Sequence, residues 1–498
     1  MLWVVDDQGW ANIGYNNPGN VHTPVADALA ADGVVLERQY AFPWCAPSRA
    51  SLMTGRLPYH CVQTTYFVER GYTFLPAKLK ELGYAAHAIG KWHLGNLAPW
   101  QTPVGRGFDT SFGYLSGTED HWTQWQGTGH DFGCEGVDLY ASTQPAYGRN
   151  NTGFGSLTHG AEAVAVIAAH DVSVPLFLFM ALQVMHTPAQ VPPEFSAIYH
   201  RTGNYTKAYA VTNGMATLAD EALGNVTAAL KARGMWETTL LVHTSDNGGP
   251  TGRRASRGSA NNFPLRGGKF NLFEGGVRVP GFVAGGALPS SARGRRLEGH
   301  VHLCDWYATF AGLAGGDGTD LRVGLPPPDS LDMWDYLTGA ASHSPRKWTV
   351  LSSQPGEQVV YSGDECRPAA LCGRDAVWNA ALLDGGAYKL VLGWQSSGIW
   401  QGPTYPNAST DYDAERDQPV VCAEPGCLFD VRSDPGEHHD LAALMPAKAA
   451  EMRQVLADLN RTYHREPRVG DPGFERDERA CKAYVASHGG FLGPYLND

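Results

Sequence analysis

The chain has no apolar run long enough to cross a bilayer. The longest, Val174 to Met185, is interrupted by Pro175 and Gln183, and a span needs about 20 apolar residues. It reads as a buried strand. Positive charge is scarce: 38 Lys and Arg against 50 Asp and Glu leave a net charge of −12. With no basic helix or Lys/Arg run to offset this, nucleic acid is excluded as a partner. The Arg293-Gly294-Arg295-Arg296 cluster is too short to change that and reads as a solvated loop. Internal repeats and low-complexity tracts are absent. Cysteine is sparse at nine. Setting Cys45 aside leaves an even number, which fits disulfides, and Cys366/Cys372 and Cys422/Cys427 are close enough in sequence to pair. No leader-like segment precedes the first strand-like run, Leu2-Trp3-Val4-Val5, which reads as a truncated N-terminus. Five Asn-x-Ser/Thr sequons, at Asn150, Asn204, Asn225, Asn407 and Asn460, point with the cysteines to a secreted or lysosomal-type compartment.

At 498 residues, 43% hydrophobic and 18% charged, the chain has the composition of a globular enzyme with more than one domain. Strand-like and helix-like stretches alternate through most of it, the pattern of an α/β fold with a mainly parallel sheet. Strands are expected at Leu2–Val5, Tyr84–Ile89, Leu176–Val184 and Thr239–Thr244. Helices are expected at Leu75–Leu82, stopped by Gly83, and Ala208–Arg233, closed by Gly234. Composition changes near Gly315 to Asp329, and a helical stretch around Met333 to Leu337 still belongs to the large domain. After about Lys347 the pattern turns to hairpins: Asn379–Leu383, the turn Asp384-Gly385-Gly386, then Tyr388–Leu392. A helix follows at Pro446 to Tyr463, with Met452, Val455, Leu456, Leu459 and Tyr463 on one face. The expectation is an α/β domain over 1–346 and, over 347–498, a small antiparallel sheet with a helix.

Four strand ends carry chemistry, and in open α/β sheets sites form beyond the carboxyl ends of the strands. The first ends in Asp6-Asp7. The others run into Gly90-Lys91-Trp92-His93-Leu94-Gly95, His186-Thr187-Pro188 and Ser245-Asp246-Asn247-Gly248-Gly249. Singly, each is ordinary turn chemistry or a structural histidine; four in one sheet are hard to dismiss. Asp6, Asp7, Asp246 and Asn247 offer only oxygen ligands, which suit Ca²⁺ or Mg²⁺ better than Zn²⁺. Adjacent Asp side chains on an extended strand point to opposite faces, so both reach one metal only if the backbone turns, and Gln8-Gly9 allows that turn.

The run Cys45-Ala46-Pro47-Ser48-Arg49, followed by Thr54-Gly55-Arg56, is the most informative stretch. Pro47 has the fixed φ of a first helical position and Gly55 can close the helix. Unpaired N–H groups at the helix start, with Arg49 one turn on, form an anion-binding corner. Cys45 there is either a nucleophile or a buried Cys beside a helix cap.

This run resembles the signature of the type I sulfatases, in which the Cys is oxidised to formylglycine. The resemblance extends to Lys91 and His93, to His186, and to Lys269 within Pro264 to Arg278. Asn225 to Lys231, Leu428 to Val431 with Asp434 to Leu441, and Cys481 before Gly493-Pro494 resemble the arylsulfatase B group in particular. It departs from that group in the Cys61 region, Tyr59 to Tyr72, and in the Gly-rich loop Trp122 to Tyr147.

What the resemblance implies is specific. The fold is alkaline-phosphatase-like. Asp6, Asp7, Asp246 and Asn247 bind Ca²⁺ together with the residue made from Cys45. Hydrated formylglycine attacks sulfur with help from Asp246, and His186 and Lys269 assist the leaving oxygen. His93 takes a proton from the second hydroxyl so that sulfate leaves, while Arg49 and Lys91 hold the formylglycine hydroxyls and sulfate oxygens. Substrates are aryl sulfates or sulfated sugars such as N-acetylgalactosamine 4-sulfate, and a formylglycine-generating enzyme is a required partner. Two other readings stand beside it. One is a phosphate ester hydrolase on the same scaffold, which would use Thr or Ser and a two-metal site with several His. The other is a non-catalytic glycan-binding protein.

Overall fold

The computed structural model describes residues 1–62, 67–127, 131–202, 205–251, 259–321, 324–352, 379–406, 418–465 and 476–496. Its centre is the strand Leu2–Val5, which pairs in parallel with Leu176–Leu182 on one side and Leu241–Ser245 on the other. Ala85–Lys91 and then Thr110–Tyr114 continue the parallel order outward from Leu176–Leu182. Beyond Leu241–Ser245, Gly281–Ala284 runs antiparallel, followed by Val34–Leu36 and the edge strand Arg295–Leu297. Short strands Tyr140–Ala141 and Gln144–Pro145 close the other edge, giving ten strands. The expected strands are all present, within two residues at most ends. The Arg293–Arg296 cluster is not a solvated loop throughout. Arg295 and Arg296 lie in the edge strand, where the alternation of exposed Arg296 and buried Leu297 satisfies a one-sided edge.

Side-chain alternation along the central strand feeds two separate cores. Leu2 and Val4 join a core with Ala50, Leu52 and Met53 of the Cys45–Thr54 helix and with Trp306, Tyr307 and Phe310 of Asp305–Leu313. Trp3 and Val5 face Ala26 and Ala30 of Pro24–Asp32, Ile167 of Gly155–Ala169, and Leu218, Leu223 and Val226 of Lys207–Ala232. The result is helix–sheet–helix layering. Each fully buried aliphatic side chain contributes roughly 1.5–3 kcal/mol, so the first four structured residues of the chain are anchored as firmly as any.

The small sheet has the order Thr349–Ser352, Asn379–Leu383, Tyr388–Gln395, Val420–Asp430, all antiparallel. Its two faces again differ. Leu351, Leu382, Val391 and Phe429 pack on Phe42, Trp44, Leu272 and Phe273 of the large domain, whereas Val350, Leu390 and Leu428 pack on Ala449, Met452 and Leu456 of the helix Pro446–Leu459. That helix ends four residues before Tyr463, and Asn460–Thr462 forms a tighter turn. The chain then returns to the large domain. Cys481, in the helix Glu478–Ser487, is joined to Cys134, and Leu492 N donates to Val137 O at 2.8 Å. Cys422 pairs with Cys427 as the spacing suggested. Cys366, Cys372, Asn204 and Asn407 lie outside the described residues. The even count did not translate into full pairing, because Cys61 and Cys304 are buried free thiols.

Candidate active site

The helix that carries Cys45 spans Cys45–Thr54, with all ten residues buried, and ends where Gly55 takes φ +70° and donates to Ser51 O. It therefore begins two residues before Pro47. Ser48 Oγ holds the approach, accepting from Phe42 N at 2.9 Å. Cys45 sits at the helix start with Sγ 3.6 Å from Asp6 Oδ1.

Asp6 and Asp7 do reach one site, but the turn that permits it comes earlier than Gln8-Gly9. Asp7 itself adopts φ +59°, one of the few residue types that tolerates this region. Its N–H then points to Asp246 Oδ1 at 3.2 Å, and Gln8 N donates to Ser245 Oγ at 3.0 Å. Two neighbouring parallel strands are thus tied at their carboxyl ends. The Ala85–Lys91 strand delivers Lys91, whose Nζ is 2.7 Å from Asp6 Oδ2. His93 follows at φ +59°, its N–H held by Leu115 O at 3.2 Å. Its ring lies against Gly117, where a Cβ would come within 2.7 Å of Nε2, so no larger residue fits at 117 without displacing the imidazole.

The rest of the constellation is ionic. Arg49 Nε and Nη2 donate to Asp246 Oδ2 at 2.9 and 2.7 Å, and Nη1 donates to Lys91 O at 3.1 Å. Lys269 Nζ is 2.6 Å from Asp7 Oδ1, the oxygen that also accepts from Asn247 Nδ2 at 2.7 Å. His186 Nδ1 donates to Thr187 O at 2.7 Å, so in the neutral ring the lone pair is on Nε2, 3.8 Å from Asp7 Oδ2. Asp6, Asp7 and Asp246 face Arg49, Lys91 and Lys269, three charges against three.

Burial and the neighbouring Asp246 push the Asp6 carboxyl well above its usual range despite Lys91. Burial also works against ionised Asp246, but Arg49, then Lys91 and Lys269, hold it below that range. Lys269 is raised because Asp7 and its neighbours outweigh the burial penalty. Burial, followed by Lys91 and Arg49, holds His93 well below an ordinary imidazole. His186 is lowered by burial and Lys269.

The donor set fits a hard cation. Among the described residues, one group of His, Cys, Asp and Glu side chains lies close enough to share an ion. It consists of Asp6, Asp7, Cys45 and His186, with ligand atoms all within 4.8 Å of one another. Asp7 Oδ2 and Asn247 Oδ1 are buried there with no hydrogen-bond partner, and such orphaned oxygens need a cation or water. Asp246 has one oxygen on Arg49 and the other on Asp7 N, so it stands at the edge of this group. His186, expected only as a catalytic group, lies inside it.

Every site residue expected from the sequence is brought to these strand ends. One residue of the site was missed. Tyr114 ends its strand buried near Asp6, Arg49 and Cys45, its phenol raised by burial and then by Asp6. The only sequence signal was its place in Phe112-Gly113-Tyr114.

Comparison with known proteins agrees with this geometry. The Sulfatase family model matches residues 1–316. Arylsulfatase J of Mus musculus is 31% identical over 474 residues, covering 92% of this chain and 75% of its own. N-acetylgalactosamine-6-sulfatase of Canis lupus familiaris is 29% identical over 375 residues, covering 68% and 66%. These relatives support the family without singling out the arylsulfatase B group. Among solved structures, Ps i-CgsB in complex with k-i-k-neocarrahexaose superposes with a TM-score of 0.73 at 24% identity, covering 98% and 96%. The phosphonate monoester hydrolase of Agrobacterium radiobacter, with a TM-score of 0.60 at 18% identity and 93% and 95% coverage, shares the fold. A family match over well more than half the chain, meeting its signature Cys at the carboxyl ends of a parallel sheet, assigns this protein to the sulfatase family, the hydrolases of sulfuric esters.

Proposed function

We propose that the protein hydrolyses sulfate esters on sugars, and aryl sulfates in assay, with formylglycine made from Cys45 and a Ca²⁺ ion held by Asp6, Asp7, Asp246 and Asn247. The observation that carries this reading is the buried, charge-balanced cluster around Cys45, with Asp7 Oδ2 and Asn247 Oδ1 left for a cation. A dication added to three carboxylates and three cations leaves a net positive pocket, matched to a monoanionic sulfate ester. The ion supplies Lewis acidity toward a sulfate oxygen, and the hydrated aldehyde supplies one hydroxyl to attack and a second to release sulfate.

The chain's own residues do the rest. Arg49 and Lys91 fix the oxygens around position 45. Lys269, with His186 beside it, stabilises charge on the leaving oxygen. His93, kept neutral by its surroundings, accepts the proton that frees sulfate. Asp246, held ionised by Arg49, assists deprotonation at position 45. Residues 1–346 form the catalytic domain and 347–498 the C-terminal subdomain, with the tail from Arg476 to Leu496 packed back on the catalytic domain.

The substrate is a sulfated polysaccharide. Relatives named for N-acetylgalactosamine 6-sulfatase activity and a fold neighbour bound to a neocarrahexaose support a sugar; N-acetylgalactosamine 4-sulfate is one candidate. A phosphate ester hydrolase with several metal-bound His is not favoured, since the metal group includes one His. Nor is a glycan-binding protein, since no catalytic residue is missing. No described helix is long and apolar enough to cross a membrane, and two disulfides fit an oxidising, secreted or lysosomal-type compartment. The test is mass spectrometry across residue 45 on protein made with a formylglycine-generating enzyme, assayed in parallel on an aryl sulfate. Formylglycine with turnover is expected; an unmodified thiol with full turnover would overturn the reading.

A further inference from the structure

Lys269 is carried on a loop that two different parts of the molecule hold at once. From the large domain, Gly249 O accepts from Lys269 N at 3.0 Å and Pro43 O accepts from Phe270 N at 2.7 Å. Phe270 takes φ +69° to make that bend. From the C-terminal side, Ile399 O accepts from Gly267 N at 2.8 Å. Gln395 Oε1 accepts from Leu272 N at 2.7 Å, and Glu437 Oε2 accepts from Glu274 N at 2.6 Å.

These last two grips are wholly buried, and the one through Glu437 is backed by charge. Glu437 and Gln395 are 0% exposed. Lys389, also 0% exposed, places Nζ 2.9 Å from Glu437 Oε1 and 3.0 Å from Glu274 Oε1. Tyr40 Oη donates to Glu274 Oε2 at 2.9 Å. Burying two carboxylates and a lysine carries a large desolvation cost. Apolar residues of similar size would hold the two units together more simply. What the polar set adds is direction: Gln395 and Glu437 each fix one N–H just after Lys269, while the Ile399 carbonyl fixes Gly267 N just before it.

We infer that Gln395 and Glu437, with Lys389 behind Glu437, are positioning residues for Lys269, so that the C-terminal sheet is part of the catalytic apparatus and not an appended module. This rests on Lys269 acting at the leaving oxygen. A displacement of about 1 Å at such a group costs up to about 100-fold in rate.

The test is the dependence of kcat/KM on leaving-group pKa, across a series of aryl sulfates, with the full-length modified enzyme. Lys269→Ala should steepen the plot, because unassisted departure is more sensitive to the phenol. Gln395→Met and Glu437→Met should steepen it in the same sense, losing about 10- to 100-fold on the poorest leaving group and little on the best. Glu437→Gln keeps an acceptor for Glu274 N and should stay closer to the wild-type slope. In the Lys269→Ala background, Gln395→Met should add no further steepening. A variant that only reduced the folded fraction would lower every rate equally. Steepening by Lys269→Ala together with lines parallel to wild type for both Met variants would overturn the positioning role and leave the Lys269 reading intact. A parallel line for Lys269→Ala itself would overturn both.

Discussion

Arg49 and Asp246 are joined by two hydrogen bonds to one carboxylate oxygen, at 2.9 and 2.7 Å, with neither side chain exposed. This pair couples the start of the Cys45 helix to the end of the strand Leu241–Ser245, so position 45 and the strand end carrying Asp246 and Asn247 are tied together. Arg49→Met should strand a buried carboxylate and cost about 3–5 kcal/mol of stability, read by urea unfolding. Arg49→Lys should recover part of the stability and little activity, since a single ammonium cannot span both Asp246 and the Lys91 carbonyl. An Arg49→Met enzyme as stable as wild type would refute the coupling.

Cys45→Ser provides an attacking oxygen without a second hydroxyl on the same carbon. The expected outcome is one sulfation event per enzyme molecule and no steady state. Mass spectrometry of the variant after incubation with an aryl sulfate should show a sulfated peptide at position 45. Sustained turnover by this variant would contradict the release step assigned to the hydrated aldehyde.

Chelation should lower both activity and thermal stability, and added Ca²⁺ should restore both. Binding to the folded state alone adds about 2.7 kcal/mol at a ligand concentration of 100 times Kd. Asp7→Asn should abolish the Ca²⁺-dependent shift in Tm without requiring any substrate. A Ca²⁺ shift of wild-type size in Asp7→Asn would place the ion elsewhere.

His243 tests how acid acts on the core. It is buried against Phe282, with ring centroids 4.7 Å apart, and burial lowers its pKa to about 3. The folded form therefore binds fewer protons than the unfolded form, and stability from this group is full above about 6.5 and lost as pH falls toward the folded value. Asp138 and Asp220, raised to about 6 by burial, act in the opposite sense, so the informative quantity is a difference. His243→Phe should gain about 2 kcal/mol relative to wild type between pH 7 and pH 5, measured by chemical unfolding at each pH. A difference independent of pH would show that His243 takes up its proton in the folded state as readily as in the unfolded one.

The parts of this structure that were legible in the sequence share a local signature. Asp6-Asp7, Lys91 with His93, His186 and Asp246-Asn247 each follow an apolar strand, and a strand end in a parallel sheet is where a ligand binds. Cys45 announced itself by its spacing to Pro47 and Arg49. What escaped depends on contacts between distant segments. Gln395 and Glu437 look like ordinary polar residues until the loop 264–278 is laid against them. Cys134 and Cys481 are separated by 347 positions, so no spacing rule could pair them. Arg295 and Arg296 read as solvated because their strand has a partner on one side only. The turn at Asp7 was expected at Gln8-Gly9, because glycine is the usual carrier of positive φ and here an aspartate takes it.

The burial of Cys45 also has a consequence for biosynthesis. Its side chain is 3% exposed, and the helix behind it is sealed on every side. On the proposed function, the enzyme that oxidises this thiol would have to reach it in a chain that has not yet closed. The sheet cannot close early, since the strand Leu2–Val5 pairs with Leu176–Leu182 and Leu241–Ser245, both made much later than residue 45. At roughly 5–20 residues per second, the ribosome takes on the order of ten seconds to add the first of these partners. Parallel topology thus holds open an interval of ribosomal time in which the nucleophile can be manufactured, and completion of the sheet ends it.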